Sequence, residues 1–168
     1  KELRNQISHL RSSSQLKIDR IGIGLSGGKD STVALHLLNK YSRNRGIRII
    51  GLCVDEGIEN YRFESLEHAK KHCSDLGVEM KISSYKELIG MTLGELLEKS
   101  PPAGSPCSPC GVLRRRLLNN IAKDAEVDCM VMGHNLDDFS QTVLMNHSRG
   151  DVPRLVRMAP HRYVQSGF

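Results

Sequence analysis

A glycine-rich hexapeptide, SGGKDS at residues 26–31, has the composition of a phosphate-binding loop. It joins the apolar alternating run of residues 20–25 to a helix-like stretch that follows. Its two glycines let the backbone turn with positive φ and approach an anion, and the N–H groups at the helix start point at that anion. Its lysine adds a charge, and its serines add hydroxyl donors. The predicted phosphate-binding residues are Ser26, Gly27, Gly28, Lys29, Asp30 and Ser31.

This loop differs from a Walker A motif, which requires Gly-x-x-x-x-Gly-Lys followed directly by Ser or Thr. Here Asp30 follows Lys29, and Ile23 stands where the first glycine would be. SGGKDS after a strand instead resembles the PP-loop of ATP pyrophosphatases. That resemblance implies that the loop holds the β,γ-pyrophosphate of ATP while the α-phosphate is attacked, which gives an adenylated intermediate. The alternative is an ordinary glycine turn, against which the flanking strand and helix argue.

A second polar cluster, GHNLDD at residues 133–138, follows the fourth predicted strand. Asn135 or Asp137 can cap the next helix, which is the purely structural interpretation. If the fourth strand lies beside the first, however, its carboxyl end faces the phosphate loop. Asp137 and Asp138 would then lie near a triphosphate, where carboxylate oxygens suit Mg²⁺. The nucleotide-binding residues expected in this cluster are Gly133, His134 and Asp137.

Two of the five cysteines form a spaced pair, Cys107 and Cys110, which is followed by three arginines at residues 114–116. A C-x-x-C pair can bind Zn²⁺ or an iron–sulfur cluster, form a redox pair, or be inert. An odd cysteine count argues against a disulfide framework. Cys53 and Cys129 lie in apolar runs, where a thiol usually acts as a small hydrophobe.

Apolar runs bounded by turn residues alternate with helical patterns along the chain. The predicted strands are residues 20–25, 47–55, 77–85 and 128–133. The predicted helices are residues 30–44, 61–75, 86–99, 107–125 and 136–148. This βαβα order predicts an α/β fold, a parallel sheet with helices on both faces and a ligand at the carboxyl ends of the strands.

Composition limits the class of protein further. The chain has 168 residues, no Trp and three Phe, so its core must consist of Leu, Ile and Val. The net charge of +5 is uneven, because residues 1–20 and residues 149–168 each carry +3. Basic ends fit a polyanion such as RNA, or serve solubility alone. The sequence has no apolar run of 18 residues and no signal peptide, so we expect a cytoplasmic protein without a membrane span.

Four motifs in order resemble the tRNA 2-thiolation enzymes of the TtcA/TtuA type, over about residues 20 to 160. They are SGGKDS, CVDEGI at residues 53–58, CSPCGVLRRRLLN at residues 107–119 and GHNLDDFSQTVLMNHSRGD at residues 133–151. The resemblance implies an adenine nucleotide alpha-hydrolase-like, Rossmann-like fold. It also implies that ATP adenylates the C2 carbonyl oxygen of a tRNA pyrimidine, after which sulfur displaces AMP.

The resemblance also implies site residues. Backbone around Cys53 and Val54 would receive adenine. Asp30 and Asp138 would act near Mg²⁺ and the activated base, and Arg114 would be the basic residue after the C-x-x-C pair. Cys107 and Cys110 would be two of three cysteines that hold a 4Fe–4S cluster. The third cysteine ligand is expected outside this chain, as is any Zn²⁺ in flanking ribbons.

We expect a basic helical segment at residues 1–19, the PP-loop ATP pyrophosphatase domain at residues 20–160, and the start of a truncated region at residues 161–168. The chain begins with Lys1, which indicates residues upstream. Expected partners are tRNA, a sulfur donor (sulfide, a persulfide or a thiocarboxylated ubiquitin-like protein) and a second copy in a homodimer. The alternatives are another PP-loop adenylating enzyme, such as a tRNA-lysidine synthetase or an amide-forming synthetase, and a nucleotide-binding or metal-sensing module without turnover.

Overall fold

The computed structural model describes residues 5, 8, 18–58, 61–101 and 107–158. They form two compact units, Lys1–Gly133 and His134–Phe168. The first unit contains β1 (Arg20–Gly24), α1 (Lys29–Ser42), β2 (Arg48–Asp55), α2 (Tyr61–Leu76), β3 (Glu79–Ser84), α3 (Tyr85–Ile89), α4 (Leu93–Lys99), α5 (Cys107–Asp124) and β4 (Cys129–Met132). The second contains α6 (Leu136–Ser148) and α7 (Val152–Val156).

The strands form one parallel sheet in the order β3-β2-β1-β4. Strands β1 and β2 pair from Arg20 opposite Arg48 to Gly24 opposite Leu52. The first strand is therefore central, with β4 on its other side. Because parallel strands all point the same way, the loop that follows β1 lies at the carboxyl edge of the sheet. The predicted parallel sheet is confirmed.

Side chains alternate between the two faces of the sheet, as strand geometry requires. On one face, Ile21 and Ile23 of β1 belong to a buried cluster with residues of α1 and α2. On the other face, Leu52 of β2 belongs to a second buried cluster with residues of α3, α4 and α5, including Tyr85 and Leu117. Helices therefore cover both faces, as predicted. The core is built from Ile, Leu and Val, with Tyr85 as the one fully buried aromatic side chain among the described residues.

The third predicted helix, residues 86–99, is wrong in detail because the structure has two short helices there. Gly90 ends α3 in the left-handed conformation at φ 75°, which a helix cannot continue. Thr92 then starts α4 with a capping box, in which its side chain accepts the Glu95 N–H. Tyr85, predicted as the end of a strand, instead begins α3 after Ser84, which forms a second capping box.

The second unit consists of α6 and α7. Asn135 caps α6, and Asp151 caps α7 by accepting the Arg154 N–H. Among the described residues, every helix is too short or too polar to span a bilayer. Most of residues 1–19 and all of residues 161–168 lie outside the described part, so the predicted division at these positions stays a prediction.

Candidate nucleotide-binding site

The hexapeptide loop lies between the end of β1 and the start of α1, as the sequence predicts. Leu25 N–H donates to Leu52 O at 2.8 Å, which ties the chain to β2 just before the loop begins. Gly28 is the N-cap residue of α1, and no side chain caps this helix start. The first N–H groups of an α-helix have no partner within the helix and carry partial positive charge. An anion can therefore bind where a capping side chain is usual.

Hydrogen bonds inside the loop hold its shape. The Ser31 hydroxyl is buried and donates to Gly28 O at 2.9 Å. Ser31 Oγ also lies 3.1 Å from Ser26 Oγ and accepts the Ser26 N–H at 3.3 Å. Gly28 N–H donates to Ser26 Oγ at 3.2 Å. The two predicted hydroxyl donors thus bond each other and the loop backbone here, and their contact with a phosphate stays a prediction.

The two loop glycines differ in what they require. Gly27 has φ 81°, and a Cβ atom there would lie 2.0 Å from the backbone oxygen of Ser65 in α2. Both its conformation and its surroundings therefore demand glycine. Gly28 has φ −81° and ψ 167°, an extended conformation open to any residue, so it does not use the positive φ that glycine permits. A Cβ atom at Gly28 would approach only Ser26 Oγ, at 3.3 Å.

Charged side chains flank the loop in the first turn of α1. Lys29 and Asp30 are both exposed, and Asp30 is the acidic residue of that turn. Lys29 can reach an anion at the helix start as a mobile point charge. Asp30 can ligate a cation that accompanies such an anion. Both assignments remain predictions from the loop motif.

Gly133 brings the end of β4 against the loop. A Cβ atom on Gly133 would lie 2.7 Å from Ser31 Cα and 3.1 Å from the carbonyl carbon of Asp30. The backbone after β4 therefore touches the first turn of α1. This confirms the prediction that the fourth strand lies beside the first and that its carboxyl end faces the phosphate loop.

The rest of the GHNLDD cluster belongs to the second compact unit. Asn135 and Asp138 cap α6 reciprocally: Asp138 N–H donates to Asn135 Oδ1 at 3.0 Å, and Asn135 N–H donates to Asp138 Oδ2 at 2.9 Å. Asp137 takes no part in this capping box. His134 forms an edge contact with Phe139, with ring centroids 6.3 Å apart. Nucleotide contacts of His134, Asp137 and Asp138 stay predictions.

The expected adenine-binding backbone lies at the end of β2. Cys53 and Val54 are buried, at 0% and 2% exposure. Pairing of β2 with β1 ends at Leu52, whereas its pairing with β3 continues to Asp55. Cys53 and Val54 thus follow the last residue of β2 that pairs with β1. They come directly after Leu52, whose carbonyl oxygen accepts the Leu25 N–H just before the loop. Adenine binding to this backbone stays a prediction.

A second cluster of polar groups surrounds Cys110 on α5. Cys110 is buried, and Arg114 Nη2 lies 3.5 Å from its Sγ. The Tyr85 hydroxyl donates to the Cys110 carbonyl at 2.7 Å and lies 3.5 Å from Sγ. Cys107 is the first residue of α5, three positions earlier, a spacing that places two residues on one helix face. Its side chain lies outside the described part.

Arg114 also pairs with Glu56, a residue that the sequence reasoning did not single out. Arg114 Nε lies 2.7 Å from Glu56 Oε1, and Glu56 is 2% exposed. Burial lowers the pKa of Arg114, but the charges of Glu56, Cys110 and Tyr85 and the hydrogen bond to Glu56 together raise the pKa above its ordinary value. Burial, followed by the hydrogen bond and charge of Cys110, raises the pKa of Tyr85. The available signal for Glu56 was its place directly after a buried strand, at the sheet edge where ligands bind.

The sequence matches the PP-loop domain family over residues 1–167. The chain belongs to this family. A relative from Arabidopsis thaliana, named cytoplasmic tRNA 2-thiolation protein 1, is 44% identical over 141 residues, which are 83% of this chain and 39% of that protein. The chain spans less than half the length of the curated relatives that it matches.

Two solved structures are also similar to this PP-loop domain. U34-tRNA thiolase NcsA from Methanococcus maripaludis, solved with its 4Fe–4S cluster, aligns with a TM-score of 0.75 and 35% identity over 95% of this chain and 55% of that chain. The NH3-dependent NAD synthetase from Campylobacter jejuni aligns with a TM-score of 0.58 and 23% identity over 80% of this chain and 54% of that chain. The second likeness shows the fold alone. Together they confirm the predicted adenine nucleotide alpha-hydrolase-like fold.

The described residues suit the phosphates of ATP, which a PP-loop domain implies, and they offer one cysteine to an iron–sulfur cluster of the kind that the NcsA structure carries. For the phosphates of ATP, the uncapped start of α1 offers N–H donors, and no side chain at Gly28 obstructs them. For an iron–sulfur cluster, Cys110 offers a sulfur that lies 3.5 Å from the Arg114 Nη2 donor and 3.5 Å from the Tyr85 hydroxyl oxygen. Within the described residues, no three His, Cys, Asp or Glu side chains gather to hold a metal. Such a cluster would need Cys107, whose side chain lies outside the described part, and a further ligand.

Proposed function

We propose that this chain is the ATP-binding domain of a tRNA 2-thiolation enzyme. The proposed enzyme adenylates the C2 carbonyl oxygen of a tRNA uridine and replaces that oxygen by sulfur. One observation carries this proposal: the uncapped, glycine-lined start of α1, braced by Gly133, occurs in a chain 35% identical to a U34-tRNA thiolase. Uridine 34 is accordingly the proposed target, and the names of the relatives favour a cytoplasmic location.

In the first proposed step, the uridine O2 attacks the α-phosphorus of ATP. A carbon–oxygen–phosphorus link forms, the bond to the β-phosphate breaks, and the N3 proton passes to water. The backbone N–H groups at residues 27–31 and Lys29 would hold the departing pyrophosphate, because donors aimed at developing charge lower the barrier. Asp30 would help to hold Mg²⁺, which neutralises phosphate charge during transfer. From the family resemblance, Asp138 is the other proposed catalytic carboxylate.

In the second proposed step, a sulfur nucleophile attacks C2, the carbon–oxygen bond breaks, and AMP leaves. With hydrosulfide as the donor, its proton restores N3–H. Adenylation is needed because a carbonyl oxygen leaves poorly, whereas AMP leaves well. When bound, a 4Fe–4S cluster on Cys107, Cys110 and a ligand beyond this chain would supply an iron that carries sulfur. Arg114, beside Cys110, would balance negative charge on the sulfur.

Transfer RNA is the proposed macromolecular partner. The net charge of +5 favours a polyanion, and Arg115 and Arg116 are exposed on α5, five and six residues after Cys110. Such arginines can contact phosphates without reading sequence. We expect binding to weaken as salt increases. The sulfur donor is proposed to be sulfide, a persulfide or a thiocarboxylated ubiquitin-like protein.

The decisive experiment uses the full-length protein, purified without oxygen and incubated with ATP, Mg²⁺, sulfide and tRNA from a strain that lacks it. We expect release of AMP and pyrophosphate together with a 2-thiouridine detected by nucleoside mass spectrometry. The matched control is Gly28→Val, which leaves the backbone conformation allowed but fills the cradle. Release of AMP without a thionucleoside would favour a lysidine or amide synthetase. No AMP release at all would favour a binding module.

A further inference from the structure

Arg114 links a buried carboxylate to the Cys110 sulfur. Glu56, directly after β2, is 2% exposed, and its backbone oxygen accepts the Leu93 N–H at 3.0 Å, which fixes it to the start of α4. Its Oε1 lies 2.7 Å from Arg114 Nε. Nη2 of the same guanidinium lies 3.5 Å from Cys110 Sγ. One planar group therefore spans the distance from a buried anion to a thiol.

The guanidinium is suited to this double contact. Its N–H donors point in fixed directions within one plane, so a bond through Nε determines where Nη2 lies. A lysine ends in a single nitrogen and cannot hold two partners in this fixed relation. Arg114 is half exposed, with 49% of its side chain accessible, whereas its partner is buried. The carboxylate is thus the rigid end of the pair and the guanidinium the end that it orients.

Tyr85 supplies a second contact to the same sulfur. Its hydroxyl donates to the Cys110 carbonyl at 2.7 Å and lies 3.5 Å from Sγ. The ring is fully buried in the cluster that α3, α4 and α5 form on one face of the sheet. Two side chains from different elements therefore converge on one cysteine: Arg114 is held by Glu56, which is 2% exposed, and Tyr85 is itself 0% exposed.

We infer that Glu56 is a positioning residue that holds the Arg114 guanidinium against the Cys110 sulfur, while Tyr85 holds the Cys110 backbone, so that this sulfur is fixed as an iron ligand. The inference rests on the proposed function, because it takes Cys110 to bind the cluster. Groups that hydrogen-bond a metal ligand orient it and tune the metal site. Their loss typically costs about 10- to 100-fold in metal affinity or activity.

The test compares the full-length wild type with Glu56→Gln, Arg114→Ala and the double variant after anaerobic cluster reconstitution. The readout is the rate at which a chelator removes iron, measured beside kcat and the KM for ATP. We expect Glu56→Gln to lose iron about tenfold faster, with a lower kcat and an unchanged KM. Because Glu56 acts through Arg114, the double variant should lose iron no faster than Arg114→Ala.

Glu126→Gln is the matched control, since Glu126 pairs with Arg20 at the amino end of β1. It should retain iron like the wild type. A purely structural Glu56 would lower the unfolding temperature of the apo protein without changing iron loss from the folded one. Wild-type iron retention in Glu56→Gln, or effects that multiply in the double variant, would overturn the inference.

If Glu56→Gln does not fold, Arg114→Lys and Tyr85→Phe decide the matter. Lysine keeps a charge opposite Glu56 but loses the second contact, and phenylalanine loses only the hydroxyl. Faster iron loss in both supports the inference, and wild-type retention in both overturns it. A wild-type protein that binds no iron and thiolates no tRNA contradicts the proposed function, and this role with it. An active wild type with an unaffected Glu56→Gln contradicts the inference alone.

Discussion

Gly133 touches the backbone of Ser31 so closely that a Cβ atom on Gly133 would lie 2.7 Å from Ser31 Cα and 2.8 Å from Ser31 N. The nucleotide loop is thus supported from the β4 side by direct backbone contact. Any side chain at this position would push the first turn of α1 away from the strand. The loop geometry therefore depends on a residue more than 100 positions later in the chain.

We predict that Gly133→Ala lowers the free energy of unfolding by about 1–3 kcal/mol, because the added methyl group overpacks a backbone contact. It should also weaken ATP binding, since the start of α1 must shift. Gly94→Ala is the control, because a Cβ atom there meets only Thr92 Oγ1, at 3.9 Å, within α4. Chemical denaturation and calorimetric ATP titration measure both effects. Equal behaviour of the two variants would show that the contact with Ser31 is unimportant.

Substitutions of the two loop glycines should affect stability and ATP binding differently. Gly27→Ala is expected to cost at least about 2 kcal/mol of stability, because an alanine must adopt positive φ and meet the Ser65 oxygen. Gly28→Val is expected to cost less than about 1 kcal/mol, the difference between N-cap residues, yet to weaken ATP binding more than tenfold by filling the cradle. Thermal unfolding and ATP titration on the same samples separate these outcomes. Normal ATP affinity in folded Gly28→Val would contradict phosphate binding at this loop.

The sequence predicts features set by neighbouring residues better than contacts between residues far apart in the chain. The loop, the parallel sheet and the place of β4 beside β1 follow from local periodicity and from the rules of parallel sheets. The Glu56–Arg114 pair does not, because it joins residues 58 positions apart, and only packing of α5 on the sheet brings them together. The division between α3 and α4 does not follow from apolar periodicity, which continues across Gly90 and the cap at Thr92. The extended conformation of Gly28 does not follow from the sequence either, because glycine permits positive φ without requiring it.

Ser31→Ala should weaken both the loop and the nucleotide site. Its buried hydroxyl bonds Gly28 O at 2.9 Å and the Ser26 N–H at 3.3 Å, so its loss should cost about 1–2 kcal/mol. Ser42→Ala is a matched control, because its buried hydroxyl donates to Asn39 O at 2.9 Å at the far end of the same helix. We expect both variants to be less stable, but only Ser31→Ala to bind ATP more weakly. Equal ATP affinity would mean that loop order does not limit binding.

Burial raises the pKa of Cys73 to about 11, with a smaller contribution from Cys53. Because the folded state favours the protonated thiol, its contribution to stability is complete below the unfolded pKa of about 8.5 and is lost as the pH rises toward 11. Over this pH range the free energy of unfolding of the wild type should therefore fall by at most about 3 kcal/mol more than that of Cys73→Ala. Urea unfolding across this pH range measures the difference. Parallel pH profiles for the two proteins would contradict this burial effect.

Asp138 can be tested as a cap and as a catalyst with two variants of one capping box. Asn135→Ala removes the bond from the Asp138 N–H, and Asp138→Ala removes the bond from the Asn135 N–H, so each should destabilise α6 by about 1 kcal/mol. If Asp138 also acts in adenylation, Asp138→Ala should reduce AMP release by at least about 100-fold, whereas Asn135→Ala should change it only a few fold. Steady-state release of AMP and pyrophosphate with saturating tRNA, measured beside thermal unfolding, distinguishes the two roles. Equal, small losses of activity would mean that this aspartate serves the helix alone, and the catalytic carboxylate would then have to be sought at Asp30 or Asp137.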